Sequence, residues 1–346
     1  MRNRWLALIG LVLLALAFPT SGGAQTPESA NTTDVTRGSL PRTPWGHPDL
    51  QGVWTTDAEI GVPVERPVDL GTKAVLTDEE FERRAQAIKK RYEDRKEDRK
   101  VREGDPEAGP EHWYEGGKHA SRRTSLVIDP PNGRMPEYTA EAKQRVVPKG
   151  SELGFVGGSL GKGPYDGPED LALTDRCITR GLPQTWFPSE YNNGFQIVQS
   201  PDYVMIFHER LHEARVIPLN GRPHLTSNIG QWMGDSVGRW EGDTLVVDVT
   251  NFGRTTFRKA GPALKLTERI TRVDPDTVKV EVTITDPTTW TRPWTFAVTG
   301  KKDPNYWQIF EYACHEGNYG MSNMLSGARA EEKEKAAAGR AAKPRK

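Results

Sequence analysis

Thr277-Val-Lys-Val-Glu-Val-Thr-Ile-Thr285 alternates polar and apolar side chains at every step. That period of two belongs to a β-strand with one buried face and one wet face. The sequence around it repeats the pattern. Upstream, residues 195–199, 203–208 and 214–219 are short β-branched or aromatic runs. They are separated by Ser200-Pro-Asp202 and closed by Asn220-Gly221, the punctuation of an antiparallel meander. Residues 239–240, 244–249 and 264–273 lead into the quoted strand, and 294–299 and 307–314 follow it. About eight strands in roughly 130 residues predict a mainly β, antiparallel barrel or sandwich over 164–327.

The N-terminal half reads differently. Arg2 and Arg4 precede an apolar run from Trp5 to Phe18 and the small residues Ser21, Gly22, Gly23 and Ala24, the pattern of a secretory signal peptide at 1–24. The run is shorter than the ~20 residues that span a bilayer. The mature chain is therefore expected to carry no transmembrane segment and to be periplasmic or secreted. Residues 25–42, rich in Ser, Thr, Pro and Asn, read as a linker. An irregular, partly helical extension is expected over 43–163. At its start, Gly52-Val-Trp54 enters a short strand. Its helix, near 78–100, opens on a capping box of Thr77 and Glu80 with a staple of Leu76 and Phe81. A turn at Pro130-Pro-Asn-Gly133, a short helix over 140–147 and a loop at the glycine-rich 154–163 complete it. That loop departs from the G-x-x-x-x-G-K-[ST] phosphate motif. Residues 328–346 form a charged tail, read as a frayed or unfolded helix; from Arg329 on it carries seven Lys or Arg against three Glu.

Composition narrows the function classes. Lys+Arg and Asp+Glu are 47 each, and no RRM, helix-turn-helix or zinc-finger pattern is present, so nucleic acid is not an expected partner. Gly and Pro, 34 and 26 of 346 residues, are about 17% against an average near 12%, which favours turns over long helices. The two cysteines, Cys177 and Cys314, form an even pair in a chain read as exported, so a disulfide is the default. Closing so long a loop contributes roughly 4 to 5 kcal/mol in the chain-entropy model. A metal or nucleophilic thiol is the competing reading, since His315 and Glu316 follow Cys314.

Two groups of residues could carry chemistry. His208-Glu-Arg-Leu-His212 matches H-E-x-x-H, which on a helix aims two imidazoles at zinc with Glu209 as base. Its β-branched flanks place it instead across a strand end and a bend. His224, twelve residues past His212, keeps open a three-histidine site of His208, His212 and His224 for a divalent metal such as zinc. The second group sets polar residues among aromatics: Glu190, Asn192, Asn193, Trp232, Asp235, Trp240 and Arg292. Such a mixture suits a pocket for a small hydrophobic or aromatic molecule, in which a carboxylate serves as acid or base.

The strings Thr43-Pro-Trp-Gly-His-Pro-Asp-Leu-Gln-Gly-Val-Trp54, Gly221-Arg-Pro-His224, Gly238-Arg-Trp-Glu-Gly-Asp-Thr-Leu-Val-Val247 and Cys314-His-Glu-Gly-Asn-Tyr-Gly320 resemble a family of exported, functionally uncharacterised proteins of soil bacteria. The resemblance covers roughly 43–332 and implies export without implying an activity. Gly52-x-Trp54 and the strand series are similar to lipocalin-like barrels, which implies an apolar cavity.

Three functions follow from these readings. The first is an exported small-molecule-binding barrel, with lyase, isomerase or hydrolase chemistry if Asp235 or Glu209 acts as base with His208 or another histidine as partner. The second is a metal-dependent hydrolase on the H-E-x-x-H segment. The third is a non-enzymatic, envelope-associated protein with a basic tail.

Overall fold

Val278, Val280, Val282 and Ile284 are fully buried and the residues between them are half-exposed, the alternation that the quoted stretch demands. In the computed structural model the described residues are 40–101, 120–148, 150, 151, 153, 165–253 and 257–341. The leader expected at 1–24, most of the linker and the glycine-rich 154–163 lie outside them. The strands are β1 (Gly52–Thr55), β2 (Val127–Asp129), β3 (Gly194–Gln199), β4 (Tyr203–His208), β5 (Glu213–Pro218), β6 (Asp235–Glu241), β7 (Thr244–Thr250), β8 (Lys265–Asp274), β9 (Thr277–Thr285) and β10 (Trp294–Lys301). They form one antiparallel sheet in the order β5-β4-β3-β1-β10-β9-β8-β7-β6, with β2 beside β10.

That order fixes how the sheet ends. Along a path of nine alternating strands the first and last must run the same way, so β5 and β6 are parallel where the coiled sheet brings them together. They meet through side chains. Arg215 Nη1 lies 3.4 Å from Ser236 Oγ. A Cβ built on Gly238 would come within 2.8 Å of both Ile217 and Leu219. Among the described residues no backbone ladder joins the two strands. The expected mainly β, antiparallel fold is present, but the sheet is not closed into a barrel: continuing its alternation past β5 would need a strand opposite in direction to β6.

The inside of the coil is filled. Trp54, Trp186, Trp290, Trp294, Phe195 and Phe296 are all essentially buried, and each large apolar side chain so removed from water contributes roughly 1.5–3 kcal/mol. Trp186, delivered by a short 3-10 turn, packs edge-on against Phe195 at 5.3 Å and His208 at 4.7 Å. The open apolar cavity implied by the lipocalin resemblance is thus occupied by the protein's own rings.

Local signals account for the remaining elements. Helix α1 (Asp78–Val101) starts at the expected box, with Thr77 N donating to Glu80 Oε2 at 2.8 Å and Glu80 N to Thr77 Oγ1 at 3.3 Å. Helix α2 (Ala140–Gln144) is capped by Thr139. Gly133 N donates to Pro130 O at 2.8 Å in the expected turn. From the stretch expected as an extension, β1 sits between β3 and β10 inside the sheet and β2 pairs with β10. Helix α3 (Tyr319–Ala341) runs across the boundary expected at 327/328. Among the described residues no helix is long and apolar enough to cross a membrane.

Residues 307–314 were expected as a strand and are irregular instead. Trp307 and Phe310 are largely exposed, and the stretch is held to the bend after β4 by several contacts. One of these is Phe310 O to His212 Nε2 at 2.8 Å. A disulfide between Cys177 and Cys314 pins its end, as the even cysteine count suggested. Gly194 lets the segment approach closely, because a side chain there would collide with the Tyr306 ring.

Candidate functional site

Strand β4 ends at His208, whose inward register buries it. The chain then turns through Glu209 to His212, with Leu211 and His212 in the left-handed region at φ 62° and 51°. The H-E-x-x-H segment is therefore a strand end and a bend, as its flanks suggested, and its two imidazoles do not share a helix face. His208 lies inside the sheet, His212 is bonded to Phe310 O, and His224 is held by Asp235. The three do not converge. Among the described residues no group of three or more His, Cys, Asp or Glu is arranged to hold a metal.

Inside the sheet, β5 and β8 place Arg215 and Glu268 in contact, Nη2 to Oε2 at 2.6 Å. Trp186 Nε1 donates to Glu268 Oε1 at 2.8 Å. Burial drives the neighbouring His208 well below its ordinary value, and the charges of Arg215 and Arg180 push the same way, so the ring is neutral. Glu209 is likewise sealed: burial raises its carboxyl, although Asn192 and the backbone of Phe310 and Gly194 hydrogen-bond to it. Burial also raises Glu213 against opposing bonds from Thr179 and the backbone of Arg180 and Gly181.

A second group lies at the seam. Asp235, the first residue of β6, accepts both arms of Arg222, at 2.5 Å on Oδ1 and 3.3 Å on Oδ2. The same carboxylate takes Leu225 N at 3.0 Å and meets His224 Nδ1 at 2.8 Å. Burial would raise Asp235, but these hydrogen bonds outweigh it and hold the carboxyl below its ordinary value. Asn251 Nδ2 fixes the following bend through Leu225 O and Thr226 O.

Beside this constellation opens a cleft of about 1070 Å³ lined by Glu213 and Arg215 of β5, Asp235 of β6, and Arg222, Trp232 and Met233, among others. A second cleft of about 780 Å³, with Arg145, Arg176, Ile178 and Phe252 among its lining, adjoins it and shares Trp232 and Gly253. Trp232 is thus the partly exposed aromatic between two hollows.

Of the expected pocket residues, the structure brings Trp232 and Asp235 to the cleft and pairs His224 with Asp235. The others lie elsewhere. Asn193 is a buried strut, its amide bonded to Asp57 at 2.9 Å and Ser189 O at 2.8 Å. Asn192 serves Glu209 from a left-handed backbone position. Glu190 is exposed on the same turn. Trp240 packs on His47 with ring centres 5.2 Å apart, and Arg292 pairs with Asp129 at 3.0 Å beside β2. They scatter because nearness to a Trp in sequence says nothing about which face of the sheet a residue takes. Arg215 and Glu268 were missed. Their signal was register: each occupies the inward phase of its strand, with Ile217 and with Leu266 and Ile270 respectively, where an apolar residue belongs.

No protein-family model and no curated protein matches the chain. Among solved structures, the crystal structure of a point mutant of the fluorescent protein UnaG is similar over 38% of this chain and 85% of its own. The identity is 15% and the TM-score 0.22. A likeness of that extent carries no argument about fold or function.

Proposed function

We propose that this is an exported protein that takes a small molecule with a hydrophobic or aromatic portion into the cleft between β5 and β6. We further propose that His224, oriented by Asp235, exchanges a proton with that molecule. The supporting observation is the His224 Nδ1 to Asp235 Oδ2 contact of 2.8 Å beside the larger cleft. A carboxylate on Nδ1 keeps the proton there and leaves Nε2 as the basic nitrogen. Arg222 and Leu225 N share the carboxylate, so it stays ionised and fixed. Among the described residues the His224 ring is hydrogen-bonded to Asp235 alone, which suits acid/base lyase, isomerase or hydrolase chemistry better than a nucleophilic triad. Trp232 and Met233 supply the apolar wall on which the ligand's ring would lie.

The test uses the amphipathic aromatic probe anilinonaphthalene sulfonate, followed by fluorescence, together with mass spectrometry of compounds that co-purify from the periplasm. The parent protein should bind the probe, and Trp232→Ala should weaken binding at least several-fold. A probe affinity unchanged by Trp232→Ala, with no compound co-purifying, would place the ligand elsewhere and sink this reading.

A further inference from the structure

Away from the cleft, two guanidinium groups converge on neutral acceptors at the base of β4. Arg180 is 3% exposed, and its guanidinium nitrogens donate to Gln184 O at 3.3 Å, Phe187 O at 2.8 Å and Ser189 Oγ at 3.4 Å. Arg210 Nη1 donates to the same Ser189 Oγ at 2.6 Å, while its guanidinium lies 4.8 Å from the centre of the Tyr191 ring. Two like charges thus share one hydroxyl. The buried carboxylates nearby are engaged otherwise: Glu213 binds Thr179 Oγ1 and the Arg180 backbone N–H, and Asp57 binds Asn193. Burial raises the Glu209 carboxyl, and Glu213 acts on Arg180 through its charge as well as through the backbone.

The surroundings of the pair are themselves short of acceptors. Arg180, Arg210, Thr185 and His208 line a small pocket of about 10 Å³, room for about one water-sized occupant. Thr185 Oγ1, Arg210 Nε and His208 Nε2 are buried without a hydrogen-bond partner. A neutral imidazole, a hydroxyl and a guanidinium N–H can all act as donors. Unpartnered donors set between two guanidinium groups, one of them deeply buried, are the makings of an anion site, because a buried donor left without an acceptor costs free energy that an acceptor recovers.

We infer that the pocket between Arg180 and Arg210 binds one small monovalent inorganic anion of chloride size. Such an ion would offset the like charges, accept from Thr185 Oγ1 and Arg210 Nε, and lock the bend after β4 onto the segment carrying Trp186. The pocket's volume excludes a larger organic acid. The site is separate from the cleft and does not depend on what the cleft binds.

A ligand that binds the folded state alone raises its stability with concentration. Thermal unfolding in sodium chloride, sodium bromide and sodium gluconate at equal ionic strength reads that effect. The midpoint should rise by a few degrees from gluconate to either halide, and crystals grown in bromide should show an anomalous peak in the pocket. In Arg210→Gln and Thr185→Val the difference between salts should shrink or vanish, whatever the variants' absolute stability. Equal midpoints in all three salts for the parent, or a halide effect equally large in both variants, would overturn the inference. A pocket without a bromide peak would overturn it as well and mark the occupant as water.

Discussion

The molecule holds the same chemical unit twice, a carboxylate gripped by an arginine with a histidine close by, and treats it in opposite ways. Glu268 and Arg215 meet at 2.6 Å with side chains 0% and 3% exposed, next to the buried His208. Asp235 and Arg222 meet at 2.5 Å, but Arg222 is 33% exposed and His224 30%. The N···O separations hardly differ, so distance does not separate structure from function here. Access does. The inner unit presses on Trp186 and the sheet walls and has no free edge to offer a ligand. The outer unit uses its carboxylate, which lines a cleft, to hold a loop and leaves the imidazole paired with it partly exposed.

The largest expected effect comes from breaking the inner unit. Glu268→Gln leaves Arg215 buried with its charge unmatched, and removing one partner of a buried pair typically costs about 3–5 kcal/mol. Urea unfolding should show that loss. Replacing both partners, Glu268→Leu with Arg215→Met, should restore part of it, because the desolvation cost disappears with the charges while Trp186 Nε1 loses its acceptor. A loss under about 1 kcal/mol for Glu268→Gln, the range of a solvated pair, would mean that water reaches it, and the contrast with the rim would collapse.

Second comes the outer unit. Asp235→Asn keeps the shape but exchanges the acceptor that holds His224 Nδ1–H for an amide, so the ring is expected to lose its single tautomer. Nitrogen-15 spectra of the imidazole read this directly, with Nδ1 protonated in the parent and a mixture in the variant. For any compound found to turn over, the rate should fall by roughly 10²–10⁴-fold, the usual span of general acid/base assistance. An unchanged tautomer and rate would make Asp235 a loop anchor alone.

How much of this could be read from the chain differs by region. The strands with strict alternation, residues 277–285 above all, declared themselves because one buried face imposes a period of two. The capping box at Thr77 and Glu80 was local and equally plain. Residues 307–314 misled because aromatics in a strap look like aromatics in a strand; the stretch instead contacts the bend after β4, through Phe310 O and His212 Nε2. The way the sheet ends was invisible, since it depends on the parity of nine strands, one of them β1 from far upstream. In the site, Asp235 and Trp232 were picked out by composition, and His224 as a possible metal ligand. Arg222 was not, and its pairing with Asp235 had no sequence signal. Arg222 and His224 reach Asp235 only because the segment between β5 and β6 folds back over the start of β6, which no spacing rule encodes.

Third, the inner histidine should make stability depend on pH. Its folded value is lowered, so the unfolded chain takes up a proton first as pH falls. The stabilisation is complete above the unfolded value of about 6.5 and is lost progressively below it, by up to roughly 1.4 kcal/mol per pH unit. The urea midpoint should fall from about pH 7.5 to about pH 5.5, and less so in His208→Gln. A parent and variant with the same pH dependence would mean that His208 stays free to charge, and the inner unit would no longer be sealed.

The smallest effect on stability is expected from Trp232→Ala. Its ring is 41% exposed between two clefts and lies outside the core, so the fold should shift within about 0.5 kcal/mol while probe binding drops. That split separates a binding surface from a structural one. A large buried ring such as Trp186 would change both properties together, because its removal empties the sheet interior and strips Glu268 of a donor. If Trp232→Ala instead destabilised the protein as a core substitution does, by about 3–5 kcal/mol, the ring would be packing and the seam a covered joint. Loss of probe binding at unchanged stability would leave the outer unit as the part of the molecule that faces a ligand.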